Sequence, residues 1–561
     1  MVFDTRRKSD EYWKEKSFMQ GALILAFAGL LVKVIGAAFK IPLNYLILDE
    51  GMGLFGASYQ IYTVMFIVAT AGFPTAISKM VAESLAVDKK REAERIFKVA
   101  LVILSFIGIV GSNILFFAGD YLAEFIGSPD AAMAIKAIAP AVLCVSLMAA
   151  FRGYFQGRQN MTPTAVSEVV EAVGKLIFGY LFAWMFMRHS VIKASAGAVF
   201  GVTVGTLLGF FSLFVLYFTS KKYNNKVFSN ESTGSYLNIA KRLVVIAVPI
   251  TIGASVSSLT NLADMFTVMT RLQTITQVTP EFLAKYAPLL STIEGFDGAS
   301  VNHKLATALY GMYTGKPLTL FNLPLTIIVA LGMSVVPVIA ASMARKDKAS
   351  AQKTTNIAIK ITMLFAVPCA IGMYVLAAPI LQTIFHTSMA ASMLQKLSVS
   401  IIFVSVLQIT TSILQAYGKT VVPVVNMIIG GIIKVIVNYN LVAVPQINID
   451  GAPIGTMVCY FTVMALNLIW IVKVTGCRFK IADYVIKPVL SGGVMGVVAH
   501  LLYNGTVASL GTVVAMGLSI AVAVVVYFSM LIVIKAFKEE DIKLLPKGDK
   551  LVDVMKRFHL I

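Results

Sequence analysis

The chain alternates long apolar runs with short polar connections along nearly its whole length. Fourteen of the apolar runs reach the length of about 20 residues that an α-helix needs to cross a bilayer. They lie near residues 17–47, 55–85, 95–118, 131–156, 163–187, 194–219, 240–270, 304–343, 355–385, 393–417, 421–443, 452–474, 482–503 and 510–536. This pattern predicts an all-α polytopic membrane protein with 14 transmembrane helices.

The composition supports the same class of protein. The 561 residues are 58% hydrophobic and only 13% charged, about half the charged content of a soluble domain. The net charge of +19 would suit nucleic acid if the basic residues shared one soluble face, but they form short clusters between the apolar runs. We therefore expect no nucleic-acid partner. The polar N-terminal stretch is too long for a cleaved signal peptide, so the first run is expected to remain as a membrane helix.

The basic residues are distributed unequally between the two sides of the predicted membrane. One set of alternate connections collects 32 Lys and Arg, including Arg152 and Arg158, whereas the opposite set holds only Arg188, Lys193 and Lys285. Basic residues are concentrated in cytoplasmic loops. The asymmetry therefore predicts an even number of helices with both termini in the cytoplasm.

An internal repeat divides the chain. Pro337 follows Pro74 by 263 residues and Pro423 follows Pro163 by 260, each pair in similar sequence surroundings. The paired segments lie on the same side of the predicted membrane, which indicates a parallel repeat of two six-helix lobes. The predicted regions are a cytoplasmic N-terminus (1–16), an N-lobe (17–219), a cytoplasmic linker (220–239), a C-lobe (240–474) with an external loop (272–303), two further helices (475–536) and a cytoplasmic tail (537–561).

The predicted external loop is long for a connection in a helical bundle. It contains Glu281, Glu294 and Asp297 and one aromatic-rich run. Two interpretations stay open: a short surface helix or lid, and a tolerated insertion.

Two lysines lie inside the first apolar run, Lys33 and Lys40. A lysine at this depth costs roughly 2.5 to 3.5 kcal/mol on insertion scales, so its retention indicates a function. The two are seven residues apart, so they share a helical face at a separation of about 10 Å. This cationic face predicts an anionic ligand. Lys40 has a second interpretation as an anchor at the membrane interface, whereas Lys33 is too deep for that and is our preferred cavity residue.

Further charged residues lie in the predicted fifth and eleventh helices. Glu168, Glu171 and Lys175 are spaced three and four apart and form one helical stripe, in the favourable Glu-to-Lys order. They are either a charge network used in coupling or a self-neutralised stripe.

Lys434 lies near the position that corresponds to Lys175 in the internal repeat. Because this position is deep in the predicted membrane, the Lys434 ammonium needs a partner or water. Asp264 and nearby asparagines are candidate partners. Alternatively, the Lys434 ammonium replaces a metal ion bound by relatives.

The sequence contains no pattern typical of catalysis. The four cysteines and five histidines are dispersed without metal-ligand spacing, and no Walker motif is present. We therefore expect no metal, no cofactor, no direct use of ATP and no enzymatic activity.

Three segments carry a family resemblance: KVIGAAFKIPL, DEGMGLFGASYQIYTVMFIVATAGFPTAISKMVAE and FRGYFQGRQNMTPTAVSEVVEAVGKL. They resemble the polysaccharide-transporter branch of the multidrug/oligosaccharidyl-lipid/polysaccharide (MOP) flippase superfamily, in particular its lipid II flippase and stage V sporulation protein B group. The resemblance extends over nearly the whole chain.

The resemblance implies two lobes around a central cationic cavity in a bacterial cytoplasmic membrane. An undecaprenyl-pyrophosphate-linked saccharide, most simply lipid II, would pass from the inner to the outer leaflet by alternating access. Lys33 and Lys40 match basic first-helix positions of the family, with lysine where arginine is common, and Lys316 is the nearest match to a basic eighth-helix residue. The expected partners are this substrate and membrane lipids, and the expected state is a monomer.

Two alternative functions stay open. A cation-coupled multidrug exporter of the same superfamily would be favoured by unpaired acidic residues facing the cavity. A membrane polysaccharide polymerase or ligase would be favoured by a large external loop rich in Arg, His or acidic residues.

Overall fold

The computed structural model describes residues 2–223, 235–293, 296, 298–477, 479 and 481–534, with the side chains of 2–23, 26 and 220–223 left out. In these ranges the regular structure is entirely helical, which confirms the all-α prediction. The predicted tail 537–561 and residues 224–234 of the predicted linker lie outside the described residues.

The chain forms two compact units. The first comprises residues 1–278 and 287–315, and the second comprises residues 279–286 and 316–561. The helices of the first unit are α1 (Val2–Thr70), α2 (Phe73–Ala86), α3 (Lys90–Phe117), α4 (Gly119–Phe125), α5 (Ala132–Gly157), α6 (Thr162–Met187), α7 (Val191–Tyr223), α8 (Tyr236–Leu272) and α10 (His303–Gly315).

Most of the remaining helices lie in the second unit. They are α11 (Pro317–Ala344), α12 (Lys348–Val375), α13 (Ala377–Phe385), α14 (Ala391–Ala416), α15 (Val421–Leu441), α16 (Gly451–Thr475) and α17 (Lys487–Val533). Helix α9 (Pro280–Leu290) contributes its first seven residues to the second unit. The lobes predicted at 17–219 and 240–474 stay a prediction. The internal repeat relates segments of similar sequence, whereas the two compact units group residues that lie close together in space. The bounds of the units therefore do not test the bounds of the lobes.

Twelve helical stretches in the described residues are long and apolar enough to cross a membrane. Two of these stretches, Phe27–Ala86 and Ala482–Val533, contain a residue with non-helical backbone angles, Leu48 and Gly511 respectively. The sequence prediction counts each of these stretches as two spans, which is where the counts of 12 and 14 differ. The number 14 stays a prediction.

Proline and glycine define several helix ends. Pro163 and Pro317 lie in the first turns of α6 and α11, where the missing N–H is not needed for the helical hydrogen-bond pattern. Gly476 follows α16 with a φ of 69° and donates its N–H to the carbonyl of Val472 at 2.9 Å. A glycine adopts this left-handed conformation without strain, so α16 ends there.

Helices α6 and α7 approach each other closely along a stripe of glycines. A Cβ atom added to Gly201 of α7 would lie 2.2 Å from Cα of Gly179 in α6, and one added to Gly205 would lie 2.5 Å from the backbone nitrogen of Lys175. Small residues at such contacts let helical backbones pack by van der Waals contact in an apolar solvent. The stripe therefore fixes the backbone of α6 around Lys175.

An aromatic cluster holds α5 against α3 and α7. The ring of Phe97 in α3 lies 5.0 Å from Phe151, 4.8 Å from Tyr154 and 5.0 Å from Tyr217, measured between ring centroids. Aromatic pairs at this separation add to the free energy of burial. The cluster fixes the end of α5 in which Arg152 lies.

The second unit uses polar contacts between its helices. Asn426 of α15 donates to Asn467 of α16 at 2.8 Å, and Asn467 donates to Thr410 and Thr411 of α14 at 3.3 and 3.1 Å. Such hydrogen bonds satisfy buried amides where water is absent. They link three helices of this unit.

The predicted loop 272–303 contains the helix α9. Two backbone hydrogen bonds close its base, from Val278 to Ala299 and from Val301 to Ile275, each 2.9 Å long. A short helix in this loop is therefore present, while its role as a lid stays a prediction. Glu294 and Asp297 lie outside the described residues.

Candidate functional site

The first unit contains a cavity of about 450 Å³ in which most of the sequence-predicted charged residues meet. Its walls come from α1, α5, α6 and α7. Its ionisable and polar lining residues are Lys33, Lys40, Tyr59, Tyr62, Thr63, Arg152, Glu168, Glu171 and Lys175, and its aromatic lining residues include Phe39, Phe55 and Phe66. The volume is within the range of small-molecule and headgroup sites.

A buried carboxylate joins two basic residues at one wall. Oε1 of Glu171 lies 2.6 Å from Nζ of Lys175, one turn along α6, and Oε2 lies 3.0 Å from a terminal guanidinium nitrogen of Arg152 in α5. Arg152 also donates from Nε to the hydroxyl of Ser167 at 3.1 Å. Both carboxylate oxygens thus accept charge-assisted hydrogen bonds, which compensates for the cost of burying the charge.

The pair of Glu171 and Lys175 is the helical pair that the spacing predicts. Arg152 was missed as a site residue, because the charge distribution assigned it to a polar connection. It lies within α5, which extends to Gly157, and its guanidinium is largely buried. The available signal is that Arg152 lies inside the predicted span 131–156, directly after the stretch from Pro140 to Phe151, which is apolar except for Ser146.

Lys33 and Lys40 of α1 line the same cavity. Lys33 is exposed and Lys40 is half-buried. Within the described part of the chain, neither ammonium has a hydrogen-bond or ion-pair partner. The pair of residues that sequence reasoning placed on one helical face is therefore available to a ligand.

The cavity has a positive formal charge. Four basic side chains and two acidic ones line it, which gives +2. Glu171 is neutralised by its two partners, whereas Glu168 has no ion-pair partner among the described residues. The site is thus suited to an anion that contacts Lys33 and Lys40.

The remaining sequence-predicted site residues lie elsewhere. Lys316 is buried at the start of α11 in the second unit and is not among the described residues that line the cavity. Asp264 is buried in α8 of the first unit, and Lys434 is buried in α15 of the second. The roles of these three residues, including the suggested pairing of Asp264 with Lys434, stay predictions.

A second charged cluster was not predicted. Oδ2 of Asp450, just before α16, lies 2.9 Å from Nζ of Lys285 in α9 and 3.2 Å from Nζ of Lys396 in α14, and it accepts a hydrogen bond from Ser392 at 2.6 Å. Next to it, the hydroxyl of Tyr286 contacts Asn448 at 3.3 Å. Burial, assisted by the nearby charge of Asp450, raises the pKa of Tyr286, so this phenol stays protonated.

Within the described ranges, no group of three His, Cys, Asp or Glu side chains is arranged to hold a metal ion. The four cysteines are free thiols.

Comparisons with known proteins identify the family. The model of the family described as polysaccharide biosynthesis protein matches residues 18–343, and the MatE model matches residues 314–440. The chain is 23% identical over 544 residues to stage V sporulation protein B of Bacillus subtilis (strain 168), covering 96% of this chain and 99% of that protein. It is also 23% identical over 512 residues to the lipid II flippase MurJ of the same organism, covering 86% and 88% respectively.

The fold agrees with these matches. A solved structure of the lipid II flippase MurJ in an inward closed conformation superposes with a TM-score of 0.64 at 14% identity, covering 91% of this chain and 97% of that one. The family match spans more than half of the chain. The chain belongs to the polysaccharide biosynthesis protein family, in the polysaccharide-transporter branch of the MOP superfamily.

Proposed function

We propose that the protein is a flippase for a polyprenyl-diphosphate-linked saccharide, with the undecaprenyl-linked cell-wall precursor lipid II as the first candidate. The observation that carries the proposal is the cavity in the first unit, where Lys33 and Lys40 have no protein partner in the described residues and the formal charge is +2. A diphosphate is the anion of matching charge. The name of one relative compared above, the lipid II flippase MurJ, supports the same class of substrate.

The physical task explains the arrangement. A sugar diphosphate can cross the bilayer only along a polar path that offsets its charge. Two lysines seven residues apart contact an anion as separate point charges, without the fixed fork of a guanidinium. Such contacts lower the cost of desolvating the diphosphate and still permit release. The lateral opening for the lipid tail and the alternating access of the path are parts of this proposal.

A second candidate is a cation-coupled exporter of drug-like cations. One observation favours it: Glu168 lines the cavity and has no ion-pair partner among the described residues. The excess of basic residues in the same cavity favours an anion and opposes this candidate. A polymerase or ligase receives less support, because the relatives compared are named as a flippase and a sporulation protein.

Reconstituted liposomes separate the two transport functions. Purified protein is incorporated into liposomes with fluorescent lipid II, and access of the headgroup to an external quencher reports its leaflet. We expect protein-dependent movement of lipid II between the leaflets, and no accumulation of a cationic dye when a proton gradient is applied. Accumulation of the dye with lipid II remaining in its original leaflet would establish the exporter and contradict the proposal.

A further inference from the structure

An apolar groove lies beside the charged cavity, on the same two helices. It has a volume of about 670 Å³ and is lined by Pro42 of α1 and by Leu176, Ile177, Tyr180, Leu181 and Trp184 of α6. In the part of α1 that precedes the break at Leu48, the last cavity residue is Lys40 and the groove residue Pro42 follows it; in α6 the last cavity residue is Lys175 and the groove begins at Leu176. A polar site and an apolar site are therefore consecutive along one helix pair of the first unit.

One aromatic ring of the cavity packs against α6 within the sequence range of the groove residues. Phe39 lines the cavity, and its ring packs against α6 at Gly179, where an added Cβ atom would lie 2.8 Å from the ring. Gly179 lies between the groove residues Ile177 and Tyr180. The absence of a side chain there lets α1 approach α6.

The groove faces away from the protein interior. Ile177 and Trp184 have 53% and 51% of their surface exposed, and Tyr180 and Leu181 have 41% and 39%. At its far end the guanidinium of Arg188 lies 5.5 Å from the centroid of the Trp184 ring, which orients the indole. From Leu176 to Trp184 the groove extends about 12 Å along α6, so it can hold only part of a long chain.

We propose that this groove holds the part of the polyprenyl chain nearest the diphosphate while Lys33 and Lys40 bind the diphosphate. The inference rests on the proposed function and adds a site for the lipid tail. A lipid with a charged head and one long apolar chain matches the order of the two sites, because its head and its first isoprene units are consecutive in the same way.

The groove determines where the polyprenyl chain lies more than how tightly the lipid binds. A bilayer is as apolar as the groove, so transfer of the chain between them gains packing contacts but little hydrophobic free energy. The diphosphate contacts must therefore hold the chain near the groove. The location of the chain is therefore the quantity to measure.

Site-directed photocrosslinking in lipid nanodiscs measures that location. The photoreactive residue p-benzoylphenylalanine replaces Leu181 in the groove, Val110 on the outer face of α3, or Thr63 in the cavity. The probe is radiolabelled lipid II, whose saccharide supplies the C–H bonds with which a benzophenone in the cavity reacts. Val110 is the matched control because its exposure of 40% equals that of Leu181 at 39%. Each protein is tested with and without the substitutions Lys33→Gln and Lys40→Gln.

We expect about tenfold more labelling at position 181 than at 110, the ratio given by a preference of about 1.4 kcal/mol. The two lysine substitutions should reduce labelling at 181 to the level at 110.

Labelling at 63 with equal labelling at 181 and 110 would overturn the groove and leave the proposed function intact. Labelling at 181 that persists without the lysines would show that the groove binds apolar chains generally, which contradicts the inference. Absence of labelling at 63 would overturn the proposed function and the inference together.

Discussion

Glu171 is the residue on which the charged wall of the cavity depends. Its two carboxylate oxygens each contact a different cation, Lys175 on its own helix and Arg152 on α5. All three side chains are at most 20% exposed. Removal of the carboxylate would leave two buried cations unpaired.

We therefore predict that Glu171→Gln lowers the free energy of unfolding by roughly 3 kcal/mol, the cost of breaking a buried ion pair from one side. Glu168→Gln is the matched control. It changes the formal charge of the same cavity by the same amount but breaks no described ion pair. Thermal unfolding in detergent, followed by intrinsic fluorescence, measures both. Equal losses of stability in the two variants would show that the charge of the cavity, and not the ion-pair network, decides stability.

At this scale the sequence predicts contacts within one helix better than contacts between helices. The pair of Glu171 and Lys175 follows from a spacing of four residues, since residues four apart are neighbours on a helix. The partner Arg152 follows from the packing of α5 on α6, which no local pattern encodes. The same limit applies to Asp450, whose cations lie 165 and 54 residues away along the chain.

At the scale of elements, the glycine stripe between α6 and α7 fixes the wall of the cavity. Gly201→Ala would place a methyl group 2.2 Å from the backbone of Gly179. The helices must then separate, and we predict a loss of stability of about 1 to 3 kcal/mol, as for other overpacked contacts. Gly29→Ala in α1 is the control, because nothing lies within 4 Å of its added Cβ. The midpoint of thermal unfolding should fall for the first variant only, and an unchanged midpoint for Gly201→Ala would contradict the close contact of the two helices.

Within the second unit, helix α9 is held through Lys285, which pairs with Asp450. Asp450→Asn removes the charge that Lys285 and Lys396 share. We predict that amide hydrogen exchange of residues 283–286 accelerates by about tenfold, since a charge-assisted hydrogen bond contributes on the order of 1.5 kcal/mol or more. Lys136→Met, which breaks the exposed pair with Asp120, is the control and should leave this exchange unchanged. Unaltered exchange in Asp450→Asn would show that the buried apolar side chains of α9, such as Phe282, hold the helix alone.

The sequence leaves the existence of α9 open, as one of two interpretations of the loop, and does not predict its attachment. A loop of this length with an aromatic-rich run is consistent with a short helix, whereas the contacts of Lys285 and Tyr286 depend on segments more than 100 residues further along the chain. The breaks at Leu48 and Gly511 are a different case, because the predicted apolar runs already divide near both positions. Each is a local change of backbone direction within sequence that is otherwise suited to a helix.

At the scale of the whole molecule, composition and apolar periodicity are sufficient for the class of fold. They predict an all-helical membrane protein because apolar runs of this length have few other stable structures in a bilayer. The cavity shows the limit of that prediction. Lys33, Lys40 and the α6 stripe are recognisable as costly charges in apolar helices, but their meeting in one cavity is a property of the packed unit.

The central claim is that the Lys33 ammonium in this cavity contacts the diphosphate of the transported lipid. The most direct measurement is the rate at which liposomes containing the protein translocate fluorescent lipid II, compared among the wild type, Lys33→Gln, Lys33→Arg and the control Lys136→Gln, whose side chain lies outside the cavity lining. We predict that Lys33→Gln is slower by about tenfold or more, since a hydrogen bond to a charged group contributes about 1.5 to 3 kcal/mol. Lys33→Arg should retain most of the rate because it keeps the charge, and Lys136→Gln should match the wild type. Translocation by Lys33→Gln at the wild-type rate would contradict the account.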